Sequence, residues 1–237
     1  MGIGFLELST LSILREATRL IKRRHGTIID LAELPADDPK TFALIQQGDT
    51  DNVFRLEEPE LRVYLRRLQP TNLDDLIAVT ALYRPCPIEN GSAEAYISRK
   101  HGREAVVYLH PIHEEILRET HGLILYQEQV MQLLHRIGGI DLADDIGVVR
   151  AIAKRKNEIV ESRRNQFMDG ARQQGIQRDV AARIFDDIYR WTGYSYCKAH
   201  AVANACITYQ AAYLKAHYPD EFAAAVADQV KYWSNQP

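Results

Sequence analysis

Apolar positions along this chain recur mostly at three- and four-residue intervals, the spacing of one helix face and not of a strand. Leu11, Leu14, Ala17 and Ile21 form such a face, with Thr10 placed to cap the helix and Gly26 to end it. Asp38-Pro39 opens a short helix, because a carboxylate able to accept free N–H groups stands before a proline at the first helical position. Pro59 and Pro70 divide the next region into short helices, the second running from Asn72 to Leu82. Beyond Pro111 the pattern predicts a helix, a short strand, and then helices over about 127–138, 142–156, 157–174 and 178–192. Gly138-Gly139, Asn157, Gly175 and Gly193 punctuate them. A further helix spans Ala199 to Tyr218, and Pro219 starts the last one.

Strand character is confined to Gly4–Leu8 and to the pair Asn52–Leu56 and Leu123–Tyr126. Arg84-Pro85-Cys86-Pro87 reads as a stiff, non-helical loop, since two alternating prolines remove donors and push their neighbours to extended geometry. The fold class expected is therefore mainly α with a few short strands, without internal repeats.

Composition narrows the function classes. With 46% hydrophobic and 26% charged residues among 237, the chain can bury a core and is not wholly disordered. A net charge of -3 excludes a globally basic nucleic-acid binder but leaves room for a locally basic face. Three cysteines argue against a disulfide scaffold and for a reducing compartment. No run approaches the roughly 18 apolar residues of a membrane span. The start lacks the basic segment of a signal peptide, and Leu6 stands where myristoylation wants Ser or Thr. The expectation is a cytoplasmic protein with no membrane partner.

Charge is unevenly placed. Residues 30–75 hold eleven acids against five bases, whereas residues 148–164 hold Arg150, Lys154, Arg155, Lys156, Arg163 and Arg164 against Glu158 and Glu161. Basic and acidic ends would orient the protein on a polyanion, although a solvated helix face is the plain alternative. The pairs Asp37-Asp38, Asp74-Asp75, Asp144-Asp145 and Asp186-Asp187 suit helix capping or solvation. His110 with His113, and Cys197 with His200, fall short of the donor set a zinc site needs.

Several segments together resemble the alpha subunit of bacterial DNA polymerase III, the C-family replicative polymerase. They are Val53-Phe54-Arg55-Leu56-Glu57, Ala81-Leu82-Tyr83-Arg84-Pro85, Tyr96-Ile97-Ser98-Arg99-Lys100-His101-Gly102 and Tyr126-Gln127-Glu128-Gln129-Val130-Met131-Gln132. Gly193-Tyr194 with Lys198 and His200, and Tyr209-Gln210 running into Tyr213–Pro219, complete the set in the family's order. The resemblance implies a helical fingers domain over 27–230, a remnant of a palm strand and its following helix at 1–26, a tail at 231–237, and a palm largely missing.

Two-metal polymerisation needs clustered carboxylates. The family supplies three palm aspartates, two in an Asp-x-Asp motif and one in a Lys-x-Asp-x-Leu-Gly-Leu strand. That strand matches Gly2–Leu8, with Gly4 at the metal-binding position, and Glu7, three residues on, points to the opposite face of a strand. The expectation is no catalytic residue, no metal and no cofactor held by this chain, Mg2+ entering only with a complete palm. Alone, the chain would not polymerise DNA.

The family also carries a paired Arg followed by Ala-Met-Gly and lysines, matched here by Val149-Arg150-Ala151-Ile152-Ala153-Lys154-Arg155-Lys156 with Val149 replacing the first Arg. Arg150 and Lys154, four residues apart, share a helix face from which both reach one triphosphate. The family's Asn-Lys-Ser-His matches Cys197-Lys198-Ala199-His200. The resemblance therefore implies Arg150, Lys154, Arg155, Lys198 and His200 as nucleotide-binding residues, and Arg84, Arg99, Lys100 and Lys156 as DNA-binding ones. Tyr126-Gln127-Glu128-Gln129 reads as a buried polar junction, and Tyr194, Tyr196, Tyr209 and Tyr213 as core or interface residues. The implied partners are a DNA primer–template, deoxynucleoside triphosphates, and a separate palm-containing polymerase chain or other replisome subunits. A catalytically silent DNA- or replisome-binding module and a non-functional relic are the alternatives.

Overall fold

The computed structural model describes residues 9–141, 147–151, 154, 156–191 and 196–234. Contacts divide the chain into two compact units, Met1–Leu76 with Val202–Pro237, and Ile77–Ala201. The described residues are mainly helical and contain no strand.

In the first unit, α1 (Ser9–His25) buries Leu14, Ala17, Leu20 and Ile21, the three- and four-residue face expected. Thr10 lies inside the helix and is buried, so it does not cap it. Gly26, in the left-handed region at φ 71°, closes the last turn by donating its N–H to the Lys22 carbonyl at 3.0 Å. Helix α2 (Pro39–Gln47) begins as its sequence dictates: Asp38 accepts the Thr41 N–H at 2.8 Å and its hydroxyl at 2.6 Å, with Pro39 at the first position. Helix α3 (Pro59–Leu68) packs on α2. Helix α4 (Leu73–Leu82) starts with reciprocal caps: Asn72 accepts the Asp75 N–H at 2.9 Å while the Asp75 carboxylate accepts the Thr71 N–H at 2.8 Å.

The proline segment corrects the sequence expectation. Pro85–Glu89 is a short helix, α5, with Arg84 extended before it at φ -141° and ψ 154°. Both prolines fall in its first turn, where an N–H has no intrahelical acceptor, so their missing donors cost nothing there. Helix α6 (Ser92–Lys100), α7 (Pro111–Leu117) with a 3-10 turn at Arg118–Thr120, and α8 (Gln127–Arg136) follow.

The expected strands are absent wherever the chain is described; Gly4–Leu8 lies outside the described residues. At Asn52–Leu56 the donors are spent locally: Val53 N–H bonds the Thr50 carbonyl at 3.1 Å and Leu56 N–H the Val53 carbonyl at 2.9 Å. Asn52 and Arg55 take positive φ of 59° and 65°, a run of turns that still buries Val53 and Leu56. At Leu123–Tyr126 a side chain replaces the ladder, because Gln129 Oε1 accepts the Leu125 and Tyr126 N–H groups at 2.9 and 3.1 Å.

Residues 147–151 are helical, and the single helix expected over 157–174 is broken at Arg163 into α9 (Asn157–Ser162) and α10 (Arg164–Gln173). Helix α11 (Arg178–Arg190) packs on α10. The second unit's core joins Leu133, Leu134, Ile137, Phe167, Ile184 and Phe185, all fully buried. Helices α12 (Lys198–His217) and α13 (Pro219–Ser234) complete the chain, α13 against α1. The unit division falls within α4 and α12.

Candidate functional site

Within residues 77–201 the candidate cations fall into groups. The first gathers on Tyr196, which is buried to 8% exposure. Arg84 lays its guanidinium over the Tyr196 ring at 5.0 Å and donates from Nη2 to the hydroxyl at 3.1 Å, while its Nε donates to the Thr80 carbonyl at 3.3 Å. His200, exposed on the first turn of α12, meets the same ring edge-on at 5.8 Å. Stacking and hydrogen bonding together hold an arginine at a fixed angle, which a solvated side chain would not keep.

Lys198 begins α12 and is anchored at both ends. Its backbone N–H donates to the Glu128 carboxylate at 2.9 Å, and Cys197 Sγ donates to the other oxygen at 3.3 Å. Its Nζ lies 2.5 Å from Glu119 and 5.8 Å from the Tyr126 ring centroid. Glu128 sits in the first turn of α8, where a carboxylate complements the helix dipole. Gln129, the next residue, is 2% exposed and donates to Thr120 Oγ1 at 2.9 Å. The Tyr-Gln-Glu-Gln run is thus a polar junction between a turn and a helix, with Tyr126 and Gln129 buried and Gln127 and Glu128 half-buried, and Glu128 adds a link to α12 that its sequence position did not announce.

The second group stands on the helical stretch 147–151 and the turn after it. Val148, Val149 and Ala151 are buried in the unit's core, while Arg150, Lys154 and Lys156 are exposed. Lys154 N–H bonds the Arg150 carbonyl at 3.1 Å, so the two cations lie one helical turn apart. Val149, at the position where the family motif has its first Arg, is a core residue here. Arg155 lies outside the described residues, as do Gly4, Asp144-Asp145 and Tyr194.

Arg99 is committed internally: Nε bonds Glu104 at 2.8 Å and Nη1 the His121 carbonyl at 3.0 Å. Lys100, half-buried, ends α6. Arg99 also lines an open cavity of about 290 Å³ with His113, Asp187, Arg190 and Trp191. Burial raises the Asp187 carboxyl above its usual range. His110 caps α7 by accepting the Ile112 N–H at 3.2 Å. Among the described residues no three His, Cys, Asp or Glu side chains gather as metal ligands, and no helix is long and apolar enough to cross a membrane.

His113 makes a separate prediction. It is 3% exposed, and burial, then the neighbouring His110, lowers its pKa to about 4. A depressed pKa means that the unfolded chain binds the proton more readily. Stability is fully present above pH 6.5 and is lost as pH falls through 4, by up to about 3 kcal/mol. Denaturant titrations at pH 7 and pH 4.5 should show this loss, and His113→Phe should flatten it; an equal loss in the variant would assign the acid sensitivity elsewhere.

The family model for the bacterial DNA polymerase III alpha subunit finger domain matches residues 10–175. The DNA polymerase III subunit alpha of Aquifex aeolicus is 42% identical over 224 residues, covering 94% of this chain and 19% of that protein. Those of Halalkalibacterium halodurans and Staphylococcus aureus are 41% and 40% identical over 235 and 230 residues, covering 99% and 97% of this chain and 21% of each relative. The chain thus spans about a fifth of the length of the relatives it matches. Finger-domain match and identity over nearly the whole chain agree, and the chain belongs to the bacterial DNA polymerase III alpha subunit family.

Proposed function

We propose that this chain serves template-directed DNA synthesis as the fingers of a C-family polymerase, contacting the incoming deoxynucleoside triphosphate and the primer–template. Arg150, Lys154, Arg155, Lys198 and His200 bind the triphosphate; Arg84, Arg99, Lys100 and Lys156 contact DNA. The observation that carries this reading is the stretch around Arg150: its apolar residues are locked into a core while Arg150 and Lys154 project one turn apart. Two cations on a helical backbone anchored in the core meet a polyanion with less ordering cost than cations on a free loop. The Arg84–Tyr196–His200 group and the doubly anchored Lys198 support it further.

Gly4 stands at the position of the family's metal-binding aspartate, and glycine has no side chain to ligate a metal. On this reading the Mg2+ ions of nucleotidyl transfer would be held by the carboxylates of a complete palm, and this stretch by itself would not catalyse the transfer. Family membership supports a cytoplasmic setting with other replisome subunits. Burial of Val149, at a family arginine position, favours the second reading, a silent DNA-binding module.

The test is binding to a labelled primer–template across a salt series, with and without deoxynucleotides. Arg150→Ala with Lys154→Ala should abolish the nucleotide-dependent gain and lower the slope of log affinity against log salt by about 0.9 for each lost phosphate contact. Nucleotide-independent binding that ignores both substitutions in a folded protein would overturn the fingers reading and favour the silent module.

A further inference from the structure

One strongly charged surface has no part in the reading above. Helix α1 carries Arg15, Arg19, Lys22, Arg23 and Arg24 against one acid, Glu16, while residues 30–75 of the same unit hold eleven acids and five bases. Arg15, Arg19, Lys22 and Arg23 are exposed and recur at four-, three- and one-residue steps, a single stripe opposite Leu14, Ala17 and Ile21. Arg19, within the stripe, pairs with Glu16 at 2.5 Å, and beside it Arg24 and His25 bond Glu221 at 3.0 and 3.1 Å. Arg15, Lys22 and Arg23 make no ion pair among the described residues.

We propose that this stripe is a contact for the phosphate backbone of duplex DNA, additional to the nucleotide-handling residues. The choice of DNA as partner rests on the function proposed above; the surface itself does not. From Arg15 to Arg23 the helix rises about 12 Å, and duplex DNA presents a charge about every 3.4 Å along each strand, so three or four phosphates lie within reach. An acidic protein partner would favour an apolar anchor at the centre of such a face, whereas the exposed Leu11 lies at the stripe's N-terminal end, one turn before Arg15. A membrane would need the helix's apolar side, which is buried against α13. Charge segregation within the unit, basic on α1 and acidic over 30–75, turns the stripe toward a polyanion.

The test measures binding of the full 237-residue chain to a blunt 20-base-pair duplex between about 50 and 200 mM salt. The expected result for Arg15→Gln, Lys22→Gln and Arg23→Gln together is a slope smaller by about 2.7 and affinity lower by roughly 100-fold or more at 0.1 M salt. A matched control, Lys40→Gln, Arg55→Gln and Lys231→Gln, removes the same charge from exposed sites elsewhere. Equal loss in the control would reduce the effect to net charge and overturn the proposal, as would an unchanged slope in the α1 variant. Thermal melts of both variants exclude unfolding as the cause. If the α1 variant binds normally while Arg150→Ala with Lys154→Ala still abolishes nucleotide dependence, the stripe fails and the fingers reading stands. If nucleotide dependence is absent while the α1 variant loses slope, the reverse holds.

Discussion

Gly170→Ala should lower the melting temperature of the 77–201 unit by about 10 °C, although alanine is the better helix former. Gly170 lies in α10 against the turn at Gly138-Gly139, and a Cβ built on it falls within the Gly138 carbonyl group and 3.1 Å from the Gly139 nitrogen. Helix propensity favours Ala by about 1 kcal/mol. The obstruction is main chain on both sides, so no rotamer change relieves it, and α10 must move off the turn. That movement uncovers Phe167, fully buried and 5.3 Å from the Phe185 ring. Unseating a buried phenylalanine from the core approaches the cost of deleting its side chain, about 3–5 kcal/mol, so the clash outweighs propensity by about 3 kcal/mol net. At about 2–4 °C per kcal/mol, that is the shift stated. Gly147→Ala is the control, since a Cβ there meets nothing within 4 Å. A melt of Gly170→Ala within about 2 °C of the parent would refute the close approach.

That contact marks the boundary of what sequence conveys. Gly138-Gly139 reads correctly as punctuation, but its value lies in a backbone 32 residues away that no local pattern encodes. Helix periodicity, the Asp38 cap and the proline starts of α2 and α3 are local physics and were legible. The prolines of α5 misled because their effect depends on position within a helix: disruptive in the interior, harmless in the first turn. Asn52–Leu56 misled because alternation records which residues are buried and not where their N–H groups go. At the candidate site, the shared face of Arg150 and Lys154 follows from their spacing. The clamp of Tyr196 on Arg84 bridges 112 residues, and the grip of Glu128 on Lys198 bridges 70. The family resemblance made Arg84 and Lys198 candidates; only tertiary folding supplied their partners Tyr196 and Glu128.

Gln129→Leu is expected to cost about 3–5 kcal/mol, although it keeps side-chain volume and adds apolar surface. Gln129 Oε1 accepts the N–H groups of Leu125 and Tyr126, and both residues are at most 2% exposed. Leucine leaves two buried donors without that acceptor, at about 1–3 kcal/mol each, and also deletes the bond to Thr120 Oγ1. Gln129→Glu separates hydrogen bonding from shape. A buried carboxyl has a raised pKa, so its protonated form, which accepts and donates much as the amide does, prevails at low pH. Stability from a raised folded pKa is present below the unfolded value and lost as pH rises through the folded one. Relative to the parent at each pH, Gln129→Glu should therefore melt closer to it at pH 5 than at pH 8, whereas Gln129→Leu should show a deficit independent of pH. Equal deficits for both variants at both pH values would mean that the junction is held by packing. The consequence reaches the site: Tyr126 lies beneath Lys198 Nζ, and Glu128, the neighbour of Gln129, bonds the Lys198 N–H. A variant that loosens this turn should lose the order of the α12 start before it loses the core.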